Sequence, residues 1–322
     1  MVTSLEQAAR MRKRGQINIV LKKQTEDEAL LSHQESDLLE KPEHTTYKQI
    51  QEELNEFIGL SSIKQFMKEI YAWLYLNQRR QEEGLKTGKQ VFHMVFKGNP
   101  GTGKTTVARL IAKLFKDMGV LEKGHLIEAE RADLVGEYIG HTAQKTRELV
   151  QKSLGGILFV DEAYSLARGG EKDFGKEAID TLVKAMEDQQ HSFVLILAGY
   201  PKEMDRFLKL NPGLPSRFPM KITFPNYTVE ELTNMARKMI KEREYQLDAR
   251  AETTLQDLLR HSKEKEEEHF SNGRFIRNLL ERAIRAQAVR LLEEGNYEKE
   301  ELLTIKGVDI SKAYYHPDVK LE

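Results

Sequence analysis

The sequence predicts an α/β fold, a three-layer αβα domain built around a parallel sheet and followed by a small all-helical domain. From about residue 46 to residue 225, apolar runs typical of buried strands alternate with stretches of helical periodicity. This alternation is the pattern of a parallel sheet covered by helices on both faces. A glycine-rich segment separates the first of these strands from the helix after it, and beyond residue 225 only helices are predicted.

The predicted order of segments divides the chain into three parts. A polar N-terminal extension covers 1–45, the α/β domain covers 46–225, and the helical C-terminal domain covers 226–322. The predicted strands are 91–96, 126–129, 157–160, 193–198 and 221–224, and the predicted C-terminal helices are 229–245, 251–262 and 274–293.

Composition limits the kinds of partner and environment that we expect. The 322 residues contain no cysteine, which excludes disulfides and cysteine-based zinc sites and is compatible with a reducing cytoplasm. The 50 basic and 51 acidic residues nearly cancel, so no overall field attracts the chain to nucleic acid. No apolar run approaches the ~20 residues that cross a bilayer, and the N-terminal stretch has no apolar signal-peptide core. We therefore expect a cytoplasmic protein without a membrane or nucleic-acid partner.

The glycine-rich segment reads GNPGTGKT from Gly98 to Thr105, and it follows an apolar strand and precedes a helical pattern. Successive backbone N–H groups of such a loop surround a phosphate, and the helix N-terminus after it favours negative charge. The lysine meets the β- and γ-phosphates, and the first hydroxyl after it ligates magnesium. The predicted nucleotide-binding residues of this loop are Gly98, Asn99, Pro100, Gly101, Thr102, Gly103, Lys104, Thr105 and Thr106.

An acidic pair, Asp161 and Glu162, directly follows the apolar run Ile157 to Val160. An aspartate at the end of a neighbouring strand can hold magnesium together with Thr105, and the adjacent glutamate can act as general base on a water beside the γ-phosphate. Lys104, Asp161 and Glu162 are therefore predicted catalytic residues. No NKxD motif for guanine is present, so we expect ATP, with Mg²⁺, as the bound nucleotide.

Several segments, in this order and spacing, resemble AAA+ ATPases, and within them the group that includes red-type Rubisco activases and a sporulation protein. The resemblance covers about residues 50–315. It rests on GNPGTGKTT (98–106), DLVGEYIGHTAQKT (133–146), GGILFVDEAYSL (155–166), LILAGYPKEMDRFLKLNPGLPSRF (195–218) and NGRFIRNLLERA (272–283). It implies a P-loop AAA+ domain followed by a helical lid.

The resemblance also implies roles for residues outside the phosphate loop. Ile58 and Gly59 match the segment that closes over adenine, although a helix-to-turn junction with a buried isoleucine would explain the same residues. Arg217 matches the arginine finger that reaches the ATP of a neighbouring subunit, and its always-charged, planar guanidinium suits phosphoryl oxygens. Arg274 matches the second-sensor arginine of the lid, a role that Arg277 could share.

Three further loops are candidates for functional roles. Many relatives end the strand between the two nucleotide-binding strands with a polar first sensor, but here Ala198-Gly199 is followed by Tyr200, so Tyr200 or a backbone group stands near that place.

Tyr138 and Ile139 lie between glycines and resemble the pore loop that grips a polypeptide; the alternative is that Tyr138 packs against its own domain. Residues 168–173 could form a second channel loop.

These expectations favour an ATPase motor, a ring hexamer that remodels a protein partner by pore-loop pulling, with a role in spore formation implied by one relative. One alternative is a nucleic-acid motor or loader on the same core, which would need a basic groove and stacking aromatic residues. A small-molecule kinase is another, but it would need an acceptor pocket and would have no use for an arginine supplied by a neighbour. Nothing in the sequence identifies the protein partner.

Overall fold

The computed structural model describes residues 44–88, 90–138, 140–168, 173–210, 213–266 and 269–315. The predicted N-terminal extension therefore lies outside the described residues except for its last two positions. Two further predictions also lie partly outside them, because Ile139 of the expected pore loop and residues 169–172 of the second loop are not described.

Five parallel strands form the central sheet in the order β2-β3-β4-β1-β5. Their bounds are β1 Met94–Gly98, β2 Leu126–Ala129, β3 Ile157–Val160, β4 Val194–Gly199 and β5 Met220–Phe224. The predicted α/β class with a parallel sheet is confirmed. In this order β4 separates β1, which leads into the phosphate loop, from β3, which leads into the acidic pair.

Helices surround the sheet before residue 220. They are α1 Thr45–Asn55, α2 Ser61–Glu82, α3 Lys104–Asp117, α4 Arg131–Leu134, α5 His141–Ser153, α6 Gly175–Asp188, α7 Pro201–Leu210 and α8 Leu214–Arg217. Successive strand residues point to opposite faces of a sheet. Accordingly, Phe96 and Ile196 belong to one hydrophobic core, and their neighbours Val95 and Leu197 belong to another. The two cores give the expected three layers.

The predicted first strand begins too early in the sequence. Val91 to His93 read as strand residues, but pairing begins at Met94, which is in register with Ile196 and Met220. The ring of Phe92 instead packs against Phe115 with ring centroids 4.8 Å apart. Buried apolar residues therefore continue upstream of β1 although their backbone does not pair with the sheet. An apolar sequence pattern alone does not distinguish a buried strand from a buried unpaired segment.

The remainder of the described chain is helical. Its helices are α9 Val229–Glu242, α10 Ala249–Lys265, α11 Asn272–Glu294, α12 Lys299–Leu303 and α13 Gly307–Tyr315. The prediction of three helices beyond residue 225 omitted α12 and α13. It also omitted a parallel pair of two-residue strands, β6 Gln246–Leu247 and β7 Thr304–Ile305. Strands this short carry no alternation that a sequence pattern could reveal.

A buried ion pair joins α11 to α13. The guanidinium of Arg290 donates to both carboxylate oxygens of Asp309, Nε to Oδ1 at 3.0 Å and Nη2 to Oδ2 at 3.1 Å. Asp309 is fully buried, so the bidentate pairing supplies the partners that a buried carboxylate requires. These hydrogen bonds raise the pKa of Arg290 above its ordinary value.

Among the described helices, none combines the length and apolarity of a membrane span.

Candidate functional site

A cleft of about 570 Å³ opens where the carboxyl ends of β1, β3 and β4 meet helices α9 and α11. Crevices at the carboxyl ends of parallel strands are the usual ligand sites of open α/β sheets. The cleft brings together the two groups of residues that the sequence predicted to act together, the phosphate loop and the acidic pair. It also includes residues from the C-terminal helices, which are more than 120 positions beyond the phosphate loop in the sequence.

Most of the predicted phosphate-loop residues line this cleft. They are Gly98, Pro100, Gly101, Gly103, Lys104, Thr105 and Thr106. Asn99 and Thr102 are buried behind the lining. The Asn99 amide donates to Asn226 Oδ1 at 3.0 Å, and the Thr102 hydroxyl donates to the carbonyl oxygen of Asn99 at 2.7 Å. Their side chains therefore shape the loop from behind, which leaves only their backbone groups for a phosphate.

Gly101 shows why this loop needs glycine. Its φ is +67°, in the left-handed region that glycine enters without steric cost. A Cβ at this position would also lie 2.4 Å from the carbonyl oxygen of Ser271 and 2.6 Å from the backbone nitrogen of Arg274. The loop thus adopts a backbone conformation that other residues avoid, and it does so in direct contact with the start of α11.

Lys104 is the first residue of α3, and its ammonium folds back over the loop. The Nζ atom donates to the carbonyl oxygens of Gly98 at 2.8 Å and Asn99 at 2.9 Å. Burial lowers the pKa of Lys104 from its ordinary value; the carboxylates of Asp161 and Glu162 oppose this shift, while the Arg274 guanidinium adds to it. The four charged side chains are therefore close enough to influence one another across the cleft.

The acidic pair lines the cleft at the end of β3. The N–H of Asp161 donates to the Ala129 carbonyl oxygen at 2.9 Å, which extends the β2–β3 ladder by one residue and fixes the backbone at that point. Glu162 has a φ of +46°, an unfavourable value for a residue with a side chain, and strain of this kind is concentrated at functional sites. Its N–H donates to Asp161 Oδ1 at 2.9 Å.

The oxygen donors near the acidic pair fit a hard divalent cation. Within the described residues no cluster of three or more histidine, aspartate or glutamate side chains could hold a metal alone. The cleft does contain the Thr105 hydroxyl and the Asp161 carboxylate. Mg²⁺ is commonly bound through one or two protein oxygens completed by water and substrate phosphates. These two residues are the ones that would hold it.

Apolar and charged side chains from the segment before α2 and from α9 also line the cleft, among them the ion-paired Glu56 and Lys238. Phe57 and Ile58 line it together with Met235 and Met239 of α9. The role of Ile58 towards adenine stays a prediction. Gly59 does not line the cleft; it lies behind it with a φ of +70°. The sequence analysis did not identify the methionines, although their separation of four residues puts both on one face of a predicted helix.

The predicted sensor residues lie at the cleft as well. Arg274 and Arg277, one turn apart on α11, both line it, and so does Tyr200 at the end of β4. The Tyr200 ring lies 5.7 Å from the ring of His269 and 6.0 Å from that of Tyr164, measured between centroids. Burial, followed by the nearby Glu162 carboxylate, raises the pKa of Tyr200 above its ordinary value. Its hydroxyl therefore stays protonated at neutral pH.

Arg217 lies outside the cleft. It lines a separate pocket together with Trp73 and His93. Its Nε donates to Glu187 Oε1 at 3.0 Å, its Nη2 forms an ion pair with the same carboxylate, and its Nη1 donates to the Gly213 carbonyl oxygen at 2.6 Å. The structure thus separates the predicted arginine finger from the phosphate loop of its own chain.

The comparisons with known proteins identify the family. The model of the "ATPase family associated with various cellular activities (AAA)" matches residues 94–226, and that of the "AAA lid domain" matches residues 228–319. Stage V sporulation protein K of Bacillus subtilis (strain 168) is 61% identical over 312 residues, which covers 95% of this chain and 97% of that protein. The chain belongs to the AAA family of ATPases. The predicted resemblance and the predicted ATPase activity are confirmed.

Other AAA proteins extend the comparison. The chloroplastic ribulose bisphosphate carboxylase/oxygenase activase of Cyanidioschyzon merolae (strain NIES-3377 / 10D) is 44% identical over 272 residues, covering 82% of this chain and 92% of that protein. Among solved structures, the FIGL-1 AAA domain in complex with ADP superposes with a TM-score of 0.56 at 17% identity, covering 82% of this chain and 84% of that one. The Thermotoga maritima RuvB Holliday junction branch migration motor gives a TM-score of 0.53 at 19% identity, covering 81% and 70%. At these identities the solved structures show a shared fold.

Proposed function

We propose that this AAA ATPase assembles into a hexameric ring and uses ATP hydrolysis to pull on a protein partner through its central channel. The observation that carries the proposal is the exposure of Tyr138, whose side chain is 65% accessible at the tip of a loop with an anchored base. An exposed aromatic ring offers a large apolar contact area to a partner.

The chemistry of the cleft follows from its charges. ATP would bind with its β- and γ-phosphates against the loop N–H groups and the Lys104 ammonium, which would exchange its hydrogen bonds with the Gly98 and Asn99 carbonyl oxygens for bonds to phosphate oxygens. Mg²⁺, held by Thr105 and Asp161, would neutralise developing charge on the phosphate oxygens. Glu162 would accept the proton of the attacking water. Arg274 would bring a positive charge from the lid to the same phosphates.

Arg217 would act in the neighbouring subunit. Its position outside its own cleft leaves a guanidinium available to the surface where a second copy would dock, once the ion pair with Glu187 opens. An arginine supplied in trans stabilises the charge of a phosphoryl-transfer transition state. In this arrangement neither subunit hydrolyses ATP efficiently alone, and hydrolysis reports on assembly.

The loop that carries Tyr138 has a fixed base. The Gly136 N–H donates to Thr142 Oγ1 at 2.9 Å, and the Thr146 hydroxyl donates to the Leu134 carbonyl oxygen at 3.0 Å. The Tyr138 ring itself contacts only the edge of His141 in the aromatic contacts of the described residues, with centroids 5.4 Å apart. The alternative that Tyr138 packs into its own domain therefore has little support. An exposed ring would grip a polypeptide by sequence-tolerant apolar contact.

The likeness to a stage V sporulation protein supports a role in spore formation, and the likeness to an activase supports remodelling of a protein. A cytoplasmic location stays a prediction. No observation on the described residues specifically favours a nucleic-acid motor, since the likeness to a branch migration motor is one of fold.

The absence of cysteine allows a direct test of where Tyr138 lies. A Tyr138→Cys variant, in a Glu162→Gln background with ATP and Mg²⁺, would be treated with a short bifunctional maleimide. If the loops converge on one channel, neighbouring thiols should be joined and a ladder of covalent oligomers should appear on a denaturing gel. Tyr297→Cys is the matched control, because Tyr297 is exposed to a similar extent, 59%, in a loop of the lid. Equal or absent ladders in the two variants would contradict a channel position.

A further inference from the structure

Three consecutive carbonyl oxygens of the phosphate loop accept hydrogen bonds from groups that follow the sheet. Two of the donors belong to the first turn of α11, and the third belongs to the hinge segment, residues 225–227. The three pairs are Asn272 Nδ2 to Pro100 O at 3.3 Å, the Gly273 N–H to Gly101 O at 3.1 Å, and the Tyr227 hydroxyl to Thr102 O at 3.2 Å.

Asn272 is the centre of this arrangement. Its side chain is fully buried, its Oδ1 accepts from the Tyr227 N–H at 3.0 Å, and its Nδ2 donates to Asn226 Oδ1 at 2.8 Å. Asn226 Oδ1 in turn accepts from the amide of Asn99, a phosphate-loop residue. Nδ2 also lies 2.8 Å from the carbonyl oxygen of Phe270. With two hydrogens for three acceptors, the longer contact to Pro100 shares one of them.

The backbone at the start of α11 is adapted to these contacts. Asn272 has a φ of +44°, in the left-handed region that asparagine tolerates better than most residues. The N–H of Gly273, in the first turn, has no carbonyl partner within its own helix, and the Gly101 carbonyl supplies one. Asn272, with its positive φ, and Gly273, with its first-turn N–H group, therefore both donate hydrogen bonds to the phosphate loop.

The consequence for the loop follows from peptide geometry. A trans peptide is planar, so the C=O of one residue and the N–H of the next point in opposite directions. The described chain has no cis peptide bond. Fixing the carbonyls of residues 100–102 towards the lid and the hinge therefore turns the N–H groups of Gly101, Thr102 and Gly103 the other way. Those are the groups that a phosphate-binding loop presents to its ligand.

We propose that Asn272 is a positioning residue that makes the orientation of the phosphate-loop peptides depend on the position of the lid. Arg274, two residues along α11, lines the cleft, so one seated helix turn both delivers the arginine and orients the loop N–H groups. Displacement of α11 frees the carbonyls and weakens the grip on the phosphates. Lid movement thus controls nucleotide affinity through the loop backbone as well as through arginine.

The test compares two substitutions that both tolerate a positive φ. Asn272→Asp keeps an acceptor for the Tyr227 N–H and removes the amide donor, whereas Asn272→Gly removes the whole side chain. The probe is ADP carrying a fluorescent N-methylanthraniloyl group, titrated onto the full chain. Each variant should bind it about tenfold more weakly, which corresponds to ~1.4 kcal/mol. Tyr227→Phe, which removes only the hydroxyl at Thr102, should lower affinity by a smaller factor.

Ser262→Ala separates positioning from lid stability. It removes a hydroxyl that donates to the Tyr314 hydroxyl at 3.1 Å, a hydrogen bond within the lid. This variant should bind the fluorescent ADP as wild type does, even if its melting temperature falls. In steady-state hydrolysis Asn272→Gly should raise the KM for ATP more than it lowers kcat. A folded Asn272→Gly with wild-type ADP affinity, or losses of affinity that follow melting temperature across all four variants, would overturn the proposal.

Discussion

The Nζ atom of Lys104 lies 2.8 Å from the carbonyl oxygen of Gly98, six residues earlier in the phosphate loop. The ammonium is thereby held over the mouth of the loop, where burial favours its neutral form and the nearby carboxylates favour the charged one. An anionic ligand in this cleft restores the partner that a buried cation requires. Lys104 is therefore held in place by the carbonyl oxygens of the loop and is positioned to pair with an anionic ligand.

Replacement of this lysine should therefore affect binding directly. Lys104→Ala removes the only ammonium on the described lining of the phosphate end of the cleft, and we expect ATP affinity to fall by about tenfold to a hundredfold, the usual range for a charge-assisted hydrogen bond. Isothermal titration with ATP and Mg²⁺ measures the change. Lys113→Ala, on the outer part of α3, is the control and should bind as wild type does.

Glu162→Gln should separate binding from turnover. The amide cannot accept the proton of the attacking water, so kcat should fall by about a hundredfold or more, while the loop and Lys104 stay in place and the Kd for ATP stays close to that of wild type. Single-turnover hydrolysis and equilibrium binding, measured on the same preparation, give the two quantities. Undiminished hydrolysis by this variant would remove Glu162 from the reaction.

His93 should make stability depend on pH. Its Nδ1 accepts the Leu195 N–H at 3.0 Å in the interior, and burial lowers its pKa to about 4. Between that value and the ordinary pKa of about 6.5, the unfolded chain binds the proton more tightly, so the contribution is complete above pH 6.5 and up to about 3 kcal/mol is lost as pH falls towards 4. Thermal unfolding of wild type and His93→Gln measures the difference.

The variant should show a shallower decline of melting temperature between pH 6.5 and 4. Parallel curves for the two proteins would mean that His93 does not contribute to the acid sensitivity. Because other groups titrate in the same window, only the difference between the curves is informative.

Substitution of Tyr138 should impair remodelling of the protein partner and leave basal ATP hydrolysis largely unchanged. Tyr138→Ala removes the exposed ring, and we expect basal hydrolysis within about twofold of wild type, because the cleft does not include this residue. Remodelling of the protein partner per ATP should fall severely, and Tyr138→Phe should retain most of it. The partner itself can be isolated with the Glu162→Gln variant in ATP. Wild-type remodelling by the alanine variant would exclude the gripping role.

The sequence predicted the sheet, and the grouping of the phosphate loop with the acidic pair, because these depend on local signals. The segment from Gly98 to Thr106 and the pair after Ile157–Val160 each combine a short motif with an adjacent apolar strand, so chemistry and position coincide. The start of β1 was wrong, since burial of Phe92 imitates a strand. A local sequence pattern is therefore sufficient to predict a strand or a loop that a single segment forms by itself.

The parts of the site that were missed depend on contacts between distant segments. Asn99, Asn226 and Asn272 form one hydrogen-bonded chain although up to 173 positions separate them, and no local pattern predicts which asparagines meet. Met235 and Met239 line the same cleft as Ile58, although more than 170 positions separate them from it in the sequence.

Mixing of two inactive proteins tests the central claim, that the active site is completed by a neighbouring subunit. Arg217→Ala should bind ATP normally and hydrolyse it poorly. Lys104→Ala, assayed at an ATP concentration well below its weakened Kd, should carry little nucleotide but keep its arginine. When the two are combined at a fixed total concentration, some interfaces pair an intact cleft with an intact Arg217. Hydrolysis by the mixture should then exceed the sum of the two separate rates and rise with protein concentration. A mixture that is no more active than its components, together with wild-type turnover that does not change on dilution to monomers, would contradict this claim.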